Sequence, residues 1–306
     1  MSSALSIRAC NRRFIDAKIS ERLSPNTIDF YRINLSHFAG FFPSKKPLAE
    51  LTRQDIRAFL AFVISEKSAH VGDACYRSVL ALFNWLEEEE EITGNPFYRG
   101  RQKVIKPPKL PVRAPRRAHP SAVQTLLGSI QIYTWIDARD KAIISLFMTT
   151  AMRRGELVKL TTSDIDLVDR MVQVVGKGDK ERDLPFATSA AFWLFAYLSS
   201  RPPIPNCDAL FLSNHIGRLD GYRALTGSGV RQMLIRRCQR AGVDYINPHA
   251  MRHGTATAFL NAGADLGFVQ ELLGHSDPSV TRRVYVEWLK DGFKRSYDAY
   301  AGQALG

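Results

Sequence analysis

Long hydrophobic runs are missing from this 306-residue chain: no apolar stretch approaches the ~20 residues that span a bilayer. That argues against a membrane protein. The amino terminus, MSSALSIRACNRRF, carries no apolar segment behind its charges, so no secretory signal is expected. Cysteine is scarce as well. The four at positions 10, 75, 207 and 238 have neither metal-binding nor redox spacing, which excludes a disulfide framework and predicts a reducing, cytoplasmic setting. No segment repeats and none is of low complexity. Acidic residues are absent from one long stretch: none lies between Glu91 and Asp137.

What is present is a globular composition, 45% hydrophobic and 24% charged, with a net charge of +12. So strong a basic excess favours a polyanionic partner, although charge alone does not separate DNA, RNA and anionic lipid. The length favours two domains. Residues 1–98 read as a helical domain. Ser24-Pro25 opens a helix with Ile28, Tyr31, Leu35 and Phe38 at helical spacing, leaving about twenty residues before it. Thr52 caps a second helix, and a third runs from about Asp73 into the acidic cluster Glu87–Glu91.

Residues 99–117 hold eight basic side chains interleaved with Pro107, Pro108, Pro111 and Pro115. Proline stiffens the chain and removes backbone donors, which predicts an extended linker able to strap a phosphodiester backbone. Residues 118–306 form the second domain, with helices expected over 121–129, 137–149, 190–198 and 228–241. The strand 171–175 and its partner 182–186 flank a hairpin tip bearing Lys177 and Lys180. The predicted fold class is mainly α with a small antiparallel β-sheet in the second domain.

Several chemistries are unsupported. The glycine-lysine turn at Gly176 lacks the spacing of a nucleotide-binding P-loop. His249 and His253 are four apart, but no glutamate stands between them and Arg252 would repel a metal cation. No serine sits in a nucleophile elbow. A metal-free phosphoryl transfer fits better: arginines clamp the phosphodiester oxygens, a hairpin lysine protonates the leaving oxygen, histidines shuttle protons and a tyrosine attacks. In Asn247–Tyr285, an N-cap and a first-turn proline start a helix on which His249 and Arg252 share one face.

The segments TTAMRRGELVKL, VGKGDKERDLPF, HAMRHGTATAFL and ELLGHS, followed by Tyr285, resemble the successive signature boxes of the tyrosine recombinases, the phage-integrase family. LSPNTIDFYRINLSHF resembles that family's helical core-DNA-binding domain. The resemblance implies a minimal, two-domain, Xer-like enzyme that cleaves and rejoins DNA through a 3′-phosphotyrosine, without metal or cofactor. It implies catalytic roles for Arg153, Lys177, His249, Arg252, His275 and Tyr285. The basic residues Arg113, Arg116, Arg117, Lys180 and Arg182 are expected to touch the DNA backbone. Glu156, one turn from Arg153, is expected to brace the first arginine or to form a buried ion pair.

The partner implied is double-stranded DNA carrying an inverted-repeat core site, bound by a homo- or hetero-tetramer. The tail after Tyr285 is expected to dock on a neighbouring protomer. Two departures stand out. Ala151 occupies a position where the family often has glycine, expected to be harmless inside a helix, and ten residues separate His275 from Tyr285, where many relatives have nine. Tyr297 and Tyr300 are fallback nucleophiles. Integration or excision of a mobile element and dimer resolution remain open as roles. A type IB topoisomerase-like relaxase and a non-catalytic DNA-binding regulator are the alternatives.

Overall fold

The computed structural model describes residues 5–44, 46–111, 118–176, 180–204, 207–217 and 221–274. The chain divides into two compact units, residues 1–113 and 114–306.

The first unit starts with α1 (Ile7–Ser20), a helix earlier than the sequence pattern indicates, capped by Ser6. α2 (Pro25–Phe41) begins with the Ser24 hydroxyl as cap and proline in the first turn, where a missing N–H costs nothing. α3 (Arg53–Glu66) starts from a reciprocal box: Thr52 caps Asp55 N–H while the Asp55 carboxylate accepts from Thr52 N–H at 2.8 Å. α4 (Ala69–Glu88) packs against α1, α2 and α3. Phe14, Phe38, Phe59 and Phe97 are fully buried between them, each contributing about 1.5–3 kcal/mol of burial.

The short strands β1 (Tyr98–Arg99) and β2 (Gln102–Lys103) form a hairpin. Tyr76 donates its hydroxyl to Ile105 O at 3.0 Å, and Ile105 is buried in this core. The basic stretch that opens at residue 99 is therefore tied to the first unit as far as Ile105. Residues 106–111 carry no helix or strand.

In the second unit α5 (Pro120–Ser129) precedes α6 (Trp135–Thr150). Ten of the sixteen residues of α6 are buried, so it is covered on nearly all sides. Its polar members are paired. Arg139 donates to Asp140 and to Leu212 O, and Arg237 reaches Asp140 and Asp137 at 2.8 and 2.7 Å. After α6 come α7 (Arg154–Leu157) and a three-stranded antiparallel sheet of β3 (Ile165–Asp166), β4 (Met171–Val175) and β5 (Glu181–Pro185). Val172 faces Leu184 across the ladder, and Val174 faces Arg182.

α8 (Thr188–Ser200) packs on α6 through Ala190, Leu194 and Tyr197 while leaving Phe192 and Phe195 exposed. A hairpin that the sequence pattern did not reveal, β6 (Leu212–Gly217) with β7 (Gly221–Ala224), leads into α9 (Gly227–Ala241). α10 (Pro248–Asn261) and α11 (Leu266–Leu273) complete the described chain. α10 lies against α6, and that packing carries the candidate residues to one place.

Candidate active site

α10 starts as its sequence dictates: Asn247 Oδ1 accepts from Ala250 N–H at 2.8 Å, and Pro248 fills the first turn. His249 faces solvent on that first turn, whereas Arg252, one turn further, is buried. Partial loss of hydration, with Arg252, Arg154 and Arg153 nearby, lowers the His249 pKa below its usual 6.5, so the ring is neutral at physiological pH.

α6 ends at Thr150 because Ala151 adopts the left-handed conformation, φ +52° and ψ 23°. The expectation that Ala151 lies inside a helix is thus corrected. The backbone turns there, which is why glycine suits the position. Arg153 consequently stands at the N-cap of α7 rather than within it. Glu156, buried at 4% exposure, accepts from Arg153 N–H at 2.7 Å and from Arg153 Nη1 at 2.9 Å. It both braces the first arginine and forms a buried ion pair.

The two expected arginines converge on consecutive residues at the end of α11. Arg252 Nη1 donates to Ala151 O at 2.6 Å and its Nη2 to Leu273 O, while Arg153 Nη2 donates to Gly274 O at 3.1 Å. Three segments more than a hundred residues apart in part are thus joined by guanidinium groups: the α6–α7 turn, α10 and the α11 terminus. Gly274 caps α11 at φ +55°, the position immediately before His275.

Arg182, expected to face DNA, points inward from β5. Its Nη1 and Nη2 each donate to Glu156 at 3.0 Å. Burial opposes ionisation of Glu156, but the hydrogen bonds from Arg182 and Arg153 and the charge of Arg182 hold its carboxyl below the ordinary carboxylate range. Strand alternation carried this signal: Arg182 is two residues from buried Leu184, while Glu181, Asp183 and Pro185 are exposed. Lys180 is exposed at the base of the hairpin, its carbonyl accepting from Gly176 N–H at 2.8 Å. Lys177, His275, Tyr285, Arg113, Arg116 and Arg117 lie outside the described residues, as does the tail. Among the described residues, then, the locality holds Arg153, Arg154, Arg182 and Arg252 against the single carboxylate of Glu156, and can attract and fix an oxyanion.

Residues 117–291 match the phage integrase family, and residues 12–92 match the phage integrase N-terminal SAM-like domain. The chain belongs to the phage integrase family, as a tyrosine recombinase of the Xer-like type. It is 35% identical to tyrosine recombinase XerD of Yersinia pestis over 283 residues, 88% of this chain and 90% of that one. It is 32% identical to XerD of Listeria innocua, over 94% of this chain and 96% of the relative. Among solved structures, a XerH site-specific recombinase bound to its difH substrate before cleavage shares the fold. Its TM-score is 0.68 at 21% identity, over 93% of this chain and 82% of that one. No helix among the described residues is long and apolar enough to cross a membrane.

Proposed function

We propose that this tyrosine recombinase exchanges DNA strands at an inverted-repeat core site as follows. The Tyr285 hydroxyl attacks the scissile phosphate, the P–O5′ bond breaks, and a 3′-phosphotyrosine forms. Arg153 and Arg252 hold the non-bridging oxygens. Lys177 gives a proton to the departing 5′-oxygen, and neutral His249, with His275, takes up or relays the proton that the tyrosine loses. Attack by the 5′-hydroxyl of the exchanged strand reverses each bond change, so the bond energy is kept in the ester. The observation that supports this reading above all is the meeting of Arg153 and Arg252 at the Leu273–Gly274 carbonyls, beside His249. These carbonyls stand two and one residues before His275 in the sequence, which supports a shared role for the two arginines and that histidine.

Four such protomers would act on two sites, with the tail after Tyr285 docked on a neighbour. Arg113, Arg116, Arg117 and Lys180 would supply backbone contacts. Either integration and excision of a mobile element or resolution of chromosome dimers uses this chemistry.

The test is covalent trapping. Wild-type protein is incubated with nicked genomic fragments, and adducts are isolated and their DNA sequenced. Wild type is expected to give adducts on one recurring sequence and Tyr285→Phe none. Adducts from Tyr285→Phe would move the nucleophile to Tyr297 or Tyr300. Absence of adducts from wild type would leave a DNA-binding regulator.

A further inference from the structure

We propose that Arg182 is a positioning residue that fixes Gly176, just ahead of Lys177, and Gly274, the cap of α11 just ahead of His275, relative to Glu156. This rests on the roles given above to Lys177 and His275. The guanidinium of Arg182 is bidentate on Glu156, at 3.0 Å through each terminal nitrogen. Two glycines lie beside the same group. A Cβ built on Gly274 would lie 2.8 Å from Arg182 Cζ and 2.9 Å from its Nε, and one built on Gly176 would lie 3.4 Å from Nη1. Gly176 immediately precedes Lys177, and Gly274 immediately precedes His275.

Any side chain at Gly274 would push the guanidinium away, and its φ of +55° independently favours glycine. One planar cation therefore occupies the space beside the two glycines directly ahead of two residues expected to move protons. Through Glu156 it also reaches Arg153, whose N–H and Nη1 share that carboxylate. A lysine could supply the charge but not the flat fork that grips both oxygens of Glu156. The inward position on β5, opposite Val174, keeps this group off the exposed side of the hairpin where Lys180 lies. Arg182 thus acts through other residues and touches no substrate.

The experiment uses the full chain and a nicked duplex bearing the sequence recovered on wild-type protein. A second duplex carries sulfur in place of the bridging 5′-oxygen. A thiolate leaves without being protonated, so this substrate removes the need for a well-placed lysine. Arg182→Ala is expected to cleave the ordinary duplex about 100-fold slower, within the range general acid catalysis supplies. DNA affinity should stay within about threefold of wild type, a change worth under ~1 kcal/mol. The sulfur duplex should recover the part of that loss owed to the lysine for Arg182→Ala, and nearly all of the loss for Lys177→Ala. Rates are scaled to the folded fraction measured by thermal unfolding.

Arg182→Lys, a milder change that keeps a cation beside Glu156, should show the same pattern with smaller amplitude, and it carries the test should the alanine variant not fold. Equal slowing on both duplexes, or weakened binding in step with Lys180→Ala, would overturn the proposal. Wild type giving no adduct would refute the recombinase assignment instead, so the two failures are distinguishable.

Discussion

Glu156→Gln tests the ion-pair cluster most directly. Each carboxylate oxygen accepts two hydrogen bonds: Oε1 from Arg153 Nη1 and Arg182 Nη1, Oε2 from Arg153 N–H and Arg182 Nη2. Glutamine has nearly the same shape but one acceptor, and its amide would set a donor against two donors. Two charge-assisted bonds are lost. With the Arg153 side chain 35% exposed and Arg182 18% exposed, solvent screens part of their value. About 1.5 kcal/mol apiece is appropriate, or about 3 kcal/mol together.

For a unit of this size that lowers the melting temperature by about 6–12 °C. The assay is thermal unfolding followed by circular dichroism, and it contains a pH control. The native Glu156 pKa lies below its ordinary value of 4.5, so the stabilisation is complete above that value and is lost as pH falls through the native one. The gap between wild type and variant should therefore be constant near neutrality and close on acidification. A melting shift below about 2 °C at neutral pH, or a gap that does not narrow in acid, would refute the reasoning.

His249 should titrate below its usual 6.5, with partial burial and the nearby arginines disfavouring the imidazolium. Its stabilising effect is complete above that value and fades as pH falls toward the native pKa, and adduct formation should persist below pH 6.5 and then decline. An imidazole NMR midpoint at or above 6.5 would contradict this. Gly254→Ala places a Cβ 2.7 Å from Ala118 O, at the point where Ala118 N–H donates to Ala250 O. Helix propensity gains about 1 kcal/mol, but the steric cost of about 1–3 kcal/mol against backbone exceeds it, so melting should fall rather than rise. Arg252→Ala strands Ala151 O and Leu273 O, costing about 3–5 kcal/mol, whereas half-buried Arg153→Ala should cost less; urea midpoints compare the two.

Much of this architecture is legible from local chemistry. Ser24-Pro25, Thr52 and Asn247-Pro248 announce helix starts because side-chain acceptors and a donor-less proline suit those positions in any context. The strand at 171–175 is legible because it is rich in β-branched valine, with Val172 and Val174 on the buried face and Gln173 exposed between them. What escaped depended on distant partners. Nothing local distinguishes the left-handed Ala151 from a helical alanine; the turn exists because Arg252, a hundred residues on, holds its carbonyl. α1 is hard to see because only four of its residues are buried and arginines crowd the rest. The β6–β7 hairpin is irregular, its pairing shifted between Leu212 and Ile216, so no clean period-two signal appears. The inward turn of Arg182 was readable from alternation, yet a charged residue beside a lysine hairpin invites an outward assignment.

Arg252 also caps two helices at once. The carbonyls it holds belong to the C-cap of α6 and the last residue of α11, where each helix presents about half a negative elementary charge. On the proposed mechanism, the clamp and the scaffold are the same side chain. A chain without this arginine would lose stability along with the proposed reaction, and so would leave less inert subunit to enter a mixed assembly. Arg153, 35% exposed, has no such safeguard: on the proposed mechanism a chain altered there would stay folded, hold its place on DNA and stall its partners.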